Sequence, residues 1–459
     1  MSSDWSSDVC SSDLLLAGND IILLPRDLKV AIAAIERFLS EGKLSSAQVE
    51  ASVKRVLAAK YQLGLTRPQR VELEGLLAEL NPPSAEALRL ELLENALTLV
   101  RDRQGLLPLD PAGYPNIATL SIGTSGKTEF QMMLDQYGNF DHYQLPFNAS
   151  PRERQVIARD LREKDLVLIS LHGLSQFPRN NYGLSSTLID FIHLVGMEEK
   201  AVLTIFGNPY LLKSFDRLDQ VVMAYENDAD MQRLAAQALV GAIGFRGRLP
   251  VTASEEATFY QGVITQGGHR FGYCPPERVE MDPRLCRRVD TLMQEAIRDK
   301  ATPGAVVLAA RHGRIFFEQA YGHHTYSDRE NVELRDLYDL ASVTKVAATT
   351  LAIMKLYEQG KLDLHAPLKR YLPELDTFNK ADLTVYDIMT HRARLQPWIP
   401  FYLKTLDRRR RRRGRRPSRQ YYSMKPKEGF ELQVTKNLYL RTDYPDSMRY
   451  EIWSSELRK

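Results

Sequence analysis

A serine and a lysine three residues apart, Ser342 and Lys345, have residue types and spacing suited to nucleophilic catalysis. No glycine or proline follows Ser342 until Gly360, which predicts a helix that carries both side chains on one face. A serine hydroxyl needs an adjacent base, and a lysine can serve where burial and a positive helix end lower its proton affinity. That helix end can also offer the Ser342 backbone N–H to a developing oxyanion. The pair therefore indicates acyl transfer.

The spacing alone is weak evidence, because Ser40 and Lys43 also satisfy it where a helix is expected to end. A plain helix cap is the alternative interpretation of Ser342. His391 is a second possible base, but it follows the end of a predicted helix, and we interpret it as a cap or loop contact. Context must therefore decide between chemistry and capping.

The sequence predicts two kinds of secondary-structure arrangement before Ser342. Between residues 84 and 251, short apolar runs alternate with amphipathic stretches, which favours a mainly parallel sheet covered on both faces. The predicted strands are 117–122, 166–171, 201–206 and 220–224, and the predicted helices are 84–100, 151–164, 186–195 and 230–241. After a helix over 285–298, apolar runs flank the turn His312-Gly313-Arg314 and predict an antiparallel hairpin.

The N-terminal region is too small to form a core of its own. Residues 1–13 repeat Ser-Ser-Asp without a period and look like an artefact. An apolar strand is predicted over 14–25, followed by helices over 28–39 and 46–61, the second with Ser45 and Gln48 at capping-box spacing. We interpret this part as the end of a larger α/β unit.

Composition excludes several classes of protein. The chain has 459 residues, of which 44% are hydrophobic and 26% charged, so it is neither disordered nor fibrous. Cys10, Cys274 and Cys286 are too few and too scattered for a disulfide framework or a zinc site, and we predict no metal and no cofactor. No apolar run is long enough to span a bilayer, and no export signal is visible.

Nine arginines lie between residues 408 and 419 and outnumber the net charge of +3, so the rest of the chain is acidic. We interpret this run as a solvated loop or a sequence irregularity. Nucleic-acid binding is the alternative, but no aromatic residue is interleaved with the arginines, so we predict no nucleic-acid partner.

Four segments stand out between residues 17 and 252: the run 17–25, Glu94-Asn95-Ala96-Leu97-Thr98-Leu99-Val100, Ile205-Phe206-Gly207-Asn208-Pro209-Tyr210 and Gly247-Arg248-Leu249-Pro250-Val251-Thr252. Together they resemble family 3 glycoside hydrolases, particularly their β-N-acetylglucosaminidase branch. The resemblance implies a barrel end followed by an α/β sandwich domain. Neither the nucleophile motif nor the His-Asp acid/base loop of that family is present, and Asp20 is expected to be structural or next to the substrate. We therefore expect no glycoside hydrolysis.

The C-terminal part resembles the serine β-lactamase and D-alanyl-D-alanine peptidase superfamily. The resemblance lies in the hairpin, the Ser342 stretch, Leu356-Tyr357-Glu358-Gln359-Gly360-Lys361-Leu362, and Leu383-Thr384-Val385-Tyr386-Asp387-Ile388-Met389-Thr390-His391. It implies that Ser342 is the acylated nucleophile and Lys345 its base. The second and third motifs of the superfamily, Tyr-x-Asn and Lys/His-Thr-Gly, do not follow His391. The chain is thus expected to be truncated at both ends.

These observations predict an α/β architecture: the end of a TIM-like barrel, an α/β sandwich and a partial α+β serine hydrolase domain. The predicted parts are an artefact-like segment (1–13), a barrel end (14–74), a sandwich (75–254), a linker (255–283) and the serine hydrolase part (284–459). The predicted function is hydrolysis of bacterial cell-wall substrates, with N-acetylglucosamine glycosides and acyl or peptide compounds as partners. The alternative is an inert fragment that retains only the folded α/β domain. The resemblance implies a periplasmic or envelope location.

Overall fold

The computed structural model describes residues 13–23, 25, 27–67, 72–198, 200–327, 329–406 and 417–458. The chain divides into two compact units, Met1–Leu334 and Arg335–Lys459. Two predictions lie outside the described residues: the artefact-like character of residues 1–12 and the loop formed by the arginine run up to Arg416.

The first unit begins with helices. They are Leu28–Ser40 (α1), Ser46–Gln62 (α2), Leu76–Leu80 (α3) and Pro83–Ala96 (α4). The predicted capping box is confirmed: Ser45 Oγ accepts from the Gln48 N–H, and the Gln48 side chain accepts from the Ser45 N–H. The strand predicted over 14–25 is wrong, because residues 13–16 are helical. A strand needs hydrogen-bonding partners, and no described strand pairs with this run.

A six-stranded sheet forms the centre of the first unit. Its strands are Thr98–Asp102 (β1), Ile117–Ile122 (β2), Asp141–Leu145 (β3), Leu166–Leu171 (β4), Ala201–Ile205 (β5) and Gln220–Met223 (β6). The order is β1-β6-β5-β4-β2-β3, in which β1 is antiparallel to β6 and all other pairs are parallel. The predicted mainly parallel sheet is confirmed.

Helices cover both faces of this sheet. They are Glu129–Leu134 (α5), Pro151–Leu161 (α6), Ser186–Glu198 (α7) and Ala229–Leu239 (α8). Neighbouring strand residues alternate between two buried clusters; Leu171 and Ile169 belong to one, and Leu168 and Leu166 to the other. Since successive side chains of a strand point to opposite faces, each face of the sheet has its own core.

The sequence interpretation missed β1 and β3. The predicted helix over 84–100 ends at Ala96, and Thr98, Leu99 and Val100 instead form a buried strand against β6. Leucine and valine fit either a helix or a buried strand, so only the available sheet edge decides their state. In β3, the strand DHYQL is largely polar because it lies at the other edge of the sheet.

A hairpin and its supporting helix complete the first unit. The elements are Gly272–Tyr273 (β7), Pro283–Arg298 (α9), Gly304–Arg311 (β8) and Arg314–Gly322 (β9). The predicted hairpin is confirmed: β8 and β9 are antiparallel, and both turn residues, His312 and Gly313, have positive φ. The short β7 adds in parallel to β9, giving the order β7-β9-β8.

The second unit contains shorter elements. Its helices are Leu351–Glu358 (α10), Val385–Met389 (α11), Phe401–Lys404 (α12) and Tyr444–Ser454 (α13), and its strands are Tyr422–Ser423 (β10), Leu432–Thr435 (β11) and Leu438–Leu440 (β12). The strands form an antiparallel sheet in the order β10-β12-β11. No residue of α10 is buried.

Candidate active site

Ser342 and Lys345 lie next to each other, as the sequence predicted. Ser342 lies in the 3₁₀ turn Ala341–Val343, and Lys345 begins the wide π-helical turn Lys345–Thr350 that leads into α10. Lys345 Nζ donates to Ser342 Oγ at 3.0 Å. In the neutral state of the amine, the same distance allows the hydroxyl to donate instead, as proton transfer to a base requires.

The backbone before the serine is held in an unusual conformation. Ala341 has φ 42°, a left-handed geometry that a residue with a Cβ rarely adopts. Asp339 Oδ1 accepts from the Ala341 N–H at 2.8 Å and fixes this turn. Such strain persists where the surroundings enforce it, and it is frequent at functional sites. The turn therefore presents Ser342 at a sharp corner of the chain.

The expected burial of the pair is not observed. Ser342 and Lys345 are both exposed, and so are the neighbouring Leu340, Val343 and Val346. Lys345 can act as a base for Ser342 only where desolvation lowers its proton affinity, but no described residue covers this amine. The geometry of a nucleophile and its base is present without the dry environment that activates it.

The second Ser-x-x-K stretch has a different arrangement. Ser40 Oγ donates to the Arg37 carbonyl at 2.8 Å, and Lys43 Nζ pairs with the Glu41 carboxylate at 2.7 Å. Both side chains are engaged elsewhere at the end of α1. The comparison separates a structural use of this spacing from the hydrogen-bonded pair at Ser342.

Two other candidates take structural positions. Both carboxylate oxygens of Asp20 accept from Arg55, at 2.8 and 2.6 Å, and these hydrogen bonds lower the pKa of Asp20 to about 2. His391 follows α11 with φ 58°, and its N–H donates to the Ile388 carbonyl at 3.1 Å. Asp20 is thus held in an ion pair, and His391 lies at a helix end.

Sequence reasoning missed a buried polar cluster in the sandwich. His172 Nε2 and Ser170 Oγ are 2.9 Å apart, His172 Nδ1 lies 2.9 Å from Asn227 Oδ1, and Ser170 Oγ lies 3.0 Å from Ser121 Oγ. Burial lowers the pKa of His172 to about 4. The signal in the sequence was a serine in each of two largely apolar strands. Ser121, Ser170 and His172 are buried, and Asn227 lies at the exposed end of the cluster. Because the serines and the histidine are closed to solvent, the cluster is structural.

Within the described ranges, no group of three or more His, Cys, Asp or Glu side chains is placed to hold a metal ion. Across the same ranges, no helix has both the length and the apolar composition that a bilayer crossing requires.

Comparisons with known proteins assign the two parts of the chain. The β-lactamase family model matches residues 289–429. Esterase EstB of Burkholderia gladioli is 36% identical over 25% of this chain and 30% of its own length. The N-acetylmuramyl-L-alanine amidase of Bacillus subtilis is 32% identical over 28% of this chain and 31% of its own.

A third relative matches a larger share of the chain. The β-N-acetylglucosaminidase/β-glucosidase of Cellulomonas fimi is 22% identical over 52% of this chain and 45% of its own length. The chain spans less than half the length of each of these three relatives. Both resemblances seen in the sequence are confirmed: one part of the chain is similar to a β-N-acetylglucosaminidase/β-glucosidase, and a later segment matches the β-lactamase family model.

Proposed function

We propose that this chain is a serine acyl hydrolase in which Ser342 is the nucleophile and Lys345 its base. The observation that carries the proposal is the 3.0 Å hydrogen bond between Lys345 Nζ and Ser342 Oγ at a fixed, strained turn. The relatives of this segment include proteins named as an esterase and as an amidase. Ester and amide bonds are therefore the proposed targets.

The proposed reaction has two stages. Ser342 Oγ attacks the substrate carbonyl carbon while its proton passes to Lys345 Nζ, and the backbone N–H of Ser342 donates to the oxyanion. Collapse of the tetrahedral intermediate breaks the ester or amide bond, and Lys345 returns the proton to the leaving group. Water then attacks the acyl-serine while Lys345 accepts a proton from it. The bond to Ser342 Oγ breaks, Lys345 returns the proton to that oxygen, and a carboxylic acid is released.

We propose bacterial cell-wall material as the substrate class. One relative is named an N-acetylmuramyl-L-alanine amidase and another a β-N-acetylglucosaminidase/β-glucosidase, so compounds that join N-acetylated amino sugars to peptides connect the two parts of the chain. The proposed domain limits are those expected from the sequence, with the serine hydrolase part at residues 284–459. Glycoside hydrolysis is not proposed, since the glycosidase motifs are absent from the sequence.

Acylation of the purified full chain tests the proposal. A fluorophosphonate or a fluorescent penicillin should add one label, located at Ser342 by peptide mass spectrometry and lost in Ser342→Ala. Ser40→Ala is the matched control, because it removes the serine of the other Ser-x-x-K stretch and should label normally. Labelling that persists in Ser342→Ala would contradict the assignment.

The exposure of the pair favours the alternative that the chain is catalytically inert and retains only a folded α/β domain. An amine in water remains a poor base for a serine hydroxyl. In that case a chain with an intact circular dichroism spectrum takes no label from either reagent. The same experiment therefore separates the two functions.

A further inference from the structure

A cavity of about 550 Å³ lies within the first unit. Its walls come from α4, α5, α8, the segment 273–275 and β9, and they include the apolar Leu90, Met133 and Leu234. This volume is within the range of small-ligand sites, which combine an apolar lining with a few placed polar groups.

One edge of β9 borders this cavity. Along one side β9 pairs with β8, but on the other side β7 pairs only with Arg314 and Ile315. The last ladder bond runs from the Cys274 N–H to the Ile315 carbonyl at 3.0 Å, and Pro275 then has no N–H to continue it. Phe316–Glu318 line the cavity, and on this edge they have no strand partner among the described residues.

Unpaired donors lie at the Arg314 end of this edge. Gln237 is 2% exposed, and its Oε1 accepts from the Tyr273 N–H at 2.6 Å, so its orientation is fixed and Nε2 points away from that bond. Within the described chain, Nε2 makes no hydrogen bond. Arg314 uses one amino group on Glu94 at 2.6 Å, while its remaining donors are without a hydrogen-bond partner among the described residues.

The donors at this end favour an anion. Glu94 is shared between Arg314 and Arg278, at 2.6 and 2.7 Å, and Arg278 also pairs with Glu91 at 3.3 Å. The donors left over on this side therefore belong to Arg314. A carboxylate ligand matches a guanidinium with spare donors. At the other end, Glu318 has no ion-pair partner in the described part of the chain and lies beside the Tyr273 hydroxyl.

We propose that this cavity binds a short extended peptide, which adds as a strand to the free edge of β9. Its terminal carboxylate lies against Arg314 and Gln237, and its amino group lies toward Glu318. The peptide then runs opposite to β9, in the antiparallel arrangement that gives the better ladder. The free edge, residues 316–318, spans about 10 Å, which corresponds to roughly three extended residues, and a fourth brings the carboxylate to the Arg314 side chain.

Cys274 lines the cavity and offers a probe, with Cys286 on α9 as an internal reference. The full chain is treated with iodoacetamide, and the alkylation rate of each thiol is followed by peptide mass spectrometry. A saturating concentration of alanyl-leucyl-leucyl-alanine should lower the alkylation rate of Cys274 by about tenfold or more, because the thiol reacts only while the cavity is empty. The alkylation rate of Cys286 should not change. The C-terminal amide of the same peptide should bind about tenfold more weakly.

A peptide methylated on the N–H groups of both leucines cannot form the ladder and should give no protection. Equal protection by this peptide, equal slowing of Cys286, or no protection by the unmodified peptide at millimolar concentration would each overturn the proposal. Arg314→Gln should weaken protection about tenfold, whereas Arg311→Gln, at the other side of the hairpin turn, should not. If Arg314→Gln fails to fold, the methylated peptide decides the matter on the unmodified chain. The site does not depend on the activity of Ser342.

Discussion

Each unit of the molecule contains a serine hydrogen-bonded to a possible base. In the sandwich, Ser170 Oγ lies 2.9 Å from His172 Nε2, and in the second unit Ser342 Oγ lies 3.0 Å from Lys345 Nζ. The distances are nearly equal, but the surroundings are opposite. Ser170 and His172 are buried, while Ser342 and Lys345 are exposed.

The buried pair has no capacity left for a substrate. His172 stacks on Phe206 with ring centroids 4.8 Å apart, and both of its nitrogens have partners inside the unit. The exposed pair is open to a reagent but lacks the low-polarity environment that would activate the amine. Hydrogen-bond geometry alone therefore does not identify a catalytic serine; access and desolvation must both be considered.

The largest effect is expected from Lys345→Met, which keeps a long side chain and removes the amine. The rate at which fluorophosphonate labels Ser342 should fall by about a hundredfold or more, because a positioned base typically contributes ~10²–10⁴-fold. The rate is measured by stopped-time labelling and intact mass. Lys43→Met is the matched control and should label at the rate of the unmodified chain.

The contrast between the two pairs fails if reagent is found on Ser170, or if Lys345→Met labels as fast as the unmodified chain. The first result would show that the sandwich opens readily. The second would show that the hydrogen bond at Ser342 has no chemical role.

The next effect concerns the aromatic ring that seals the buried pair. Phe206 is fully buried, and Phe206→Ala should lower the free energy of unfolding by about 3–5 kcal/mol through lost apolar contact and a residual cavity. Val346, beside the exposed pair, is 64% exposed, and Val346→Ala should cost less than about 0.5 kcal/mol. Urea denaturation followed by circular dichroism measures both. Similar losses in the two variants would remove the proposed difference between the surroundings.

Sequence patterns predicted the first unit, which holds the buried pair, better than the surroundings of the exposed pair in the second unit. Strands β2 and β4 matched their predicted limits, since six consecutive residues rich in β-branched and leucine side chains favour a strand buried on both faces. The edges of the sheet, β1 and β3, could not be predicted, because an edge strand depends on its neighbour more than on its own composition. For Ser342 and Lys345, spacing predicted the contact, but it could not predict exposure, which depends on residues far away in sequence.

The third prediction uses pH to test the buried pair. The pKa of His172 is lowered from 6.5 to about 4 by burial, so the unfolded chain binds the proton more tightly between these values. The free energy of unfolding is therefore unaffected by this histidine above pH 6.5. As the pH falls from 6.5 toward 4, it decreases by about 3 kcal/mol in total. Urea denaturation at several pH values measures it. His172→Gln should remove this part of the pH dependence.

The exposed His269 of the same unit provides the matched control for that experiment. His269→Gln should leave the loss of stability between pH 6.5 and 4 as it is in the unmodified chain. If the dependence of the free energy of unfolding on pH is unchanged in His172→Gln, the ring takes up a proton as readily in the folded chain as in the unfolded one. The conclusion that His172 is closed to solvent would then be wrong.

The smallest effect compares helix caps in the two units. Ser150 caps α6 and Thr384 caps α11, and each forms a reciprocal capping box with the residue three positions on, Glu153 or Asp387. Ser150→Ala and Thr384→Ala should each cost about 1 kcal/mol, because an N-cap satisfies local backbone N–H groups wherever the helix lies. Hydrogen exchange of the first-turn amides reports on each helix separately. Equal losses would show that local capping is independent of the surroundings that separate the two serine pairs, whereas a loss confined to α6 would extend the difference between the units to their backbone.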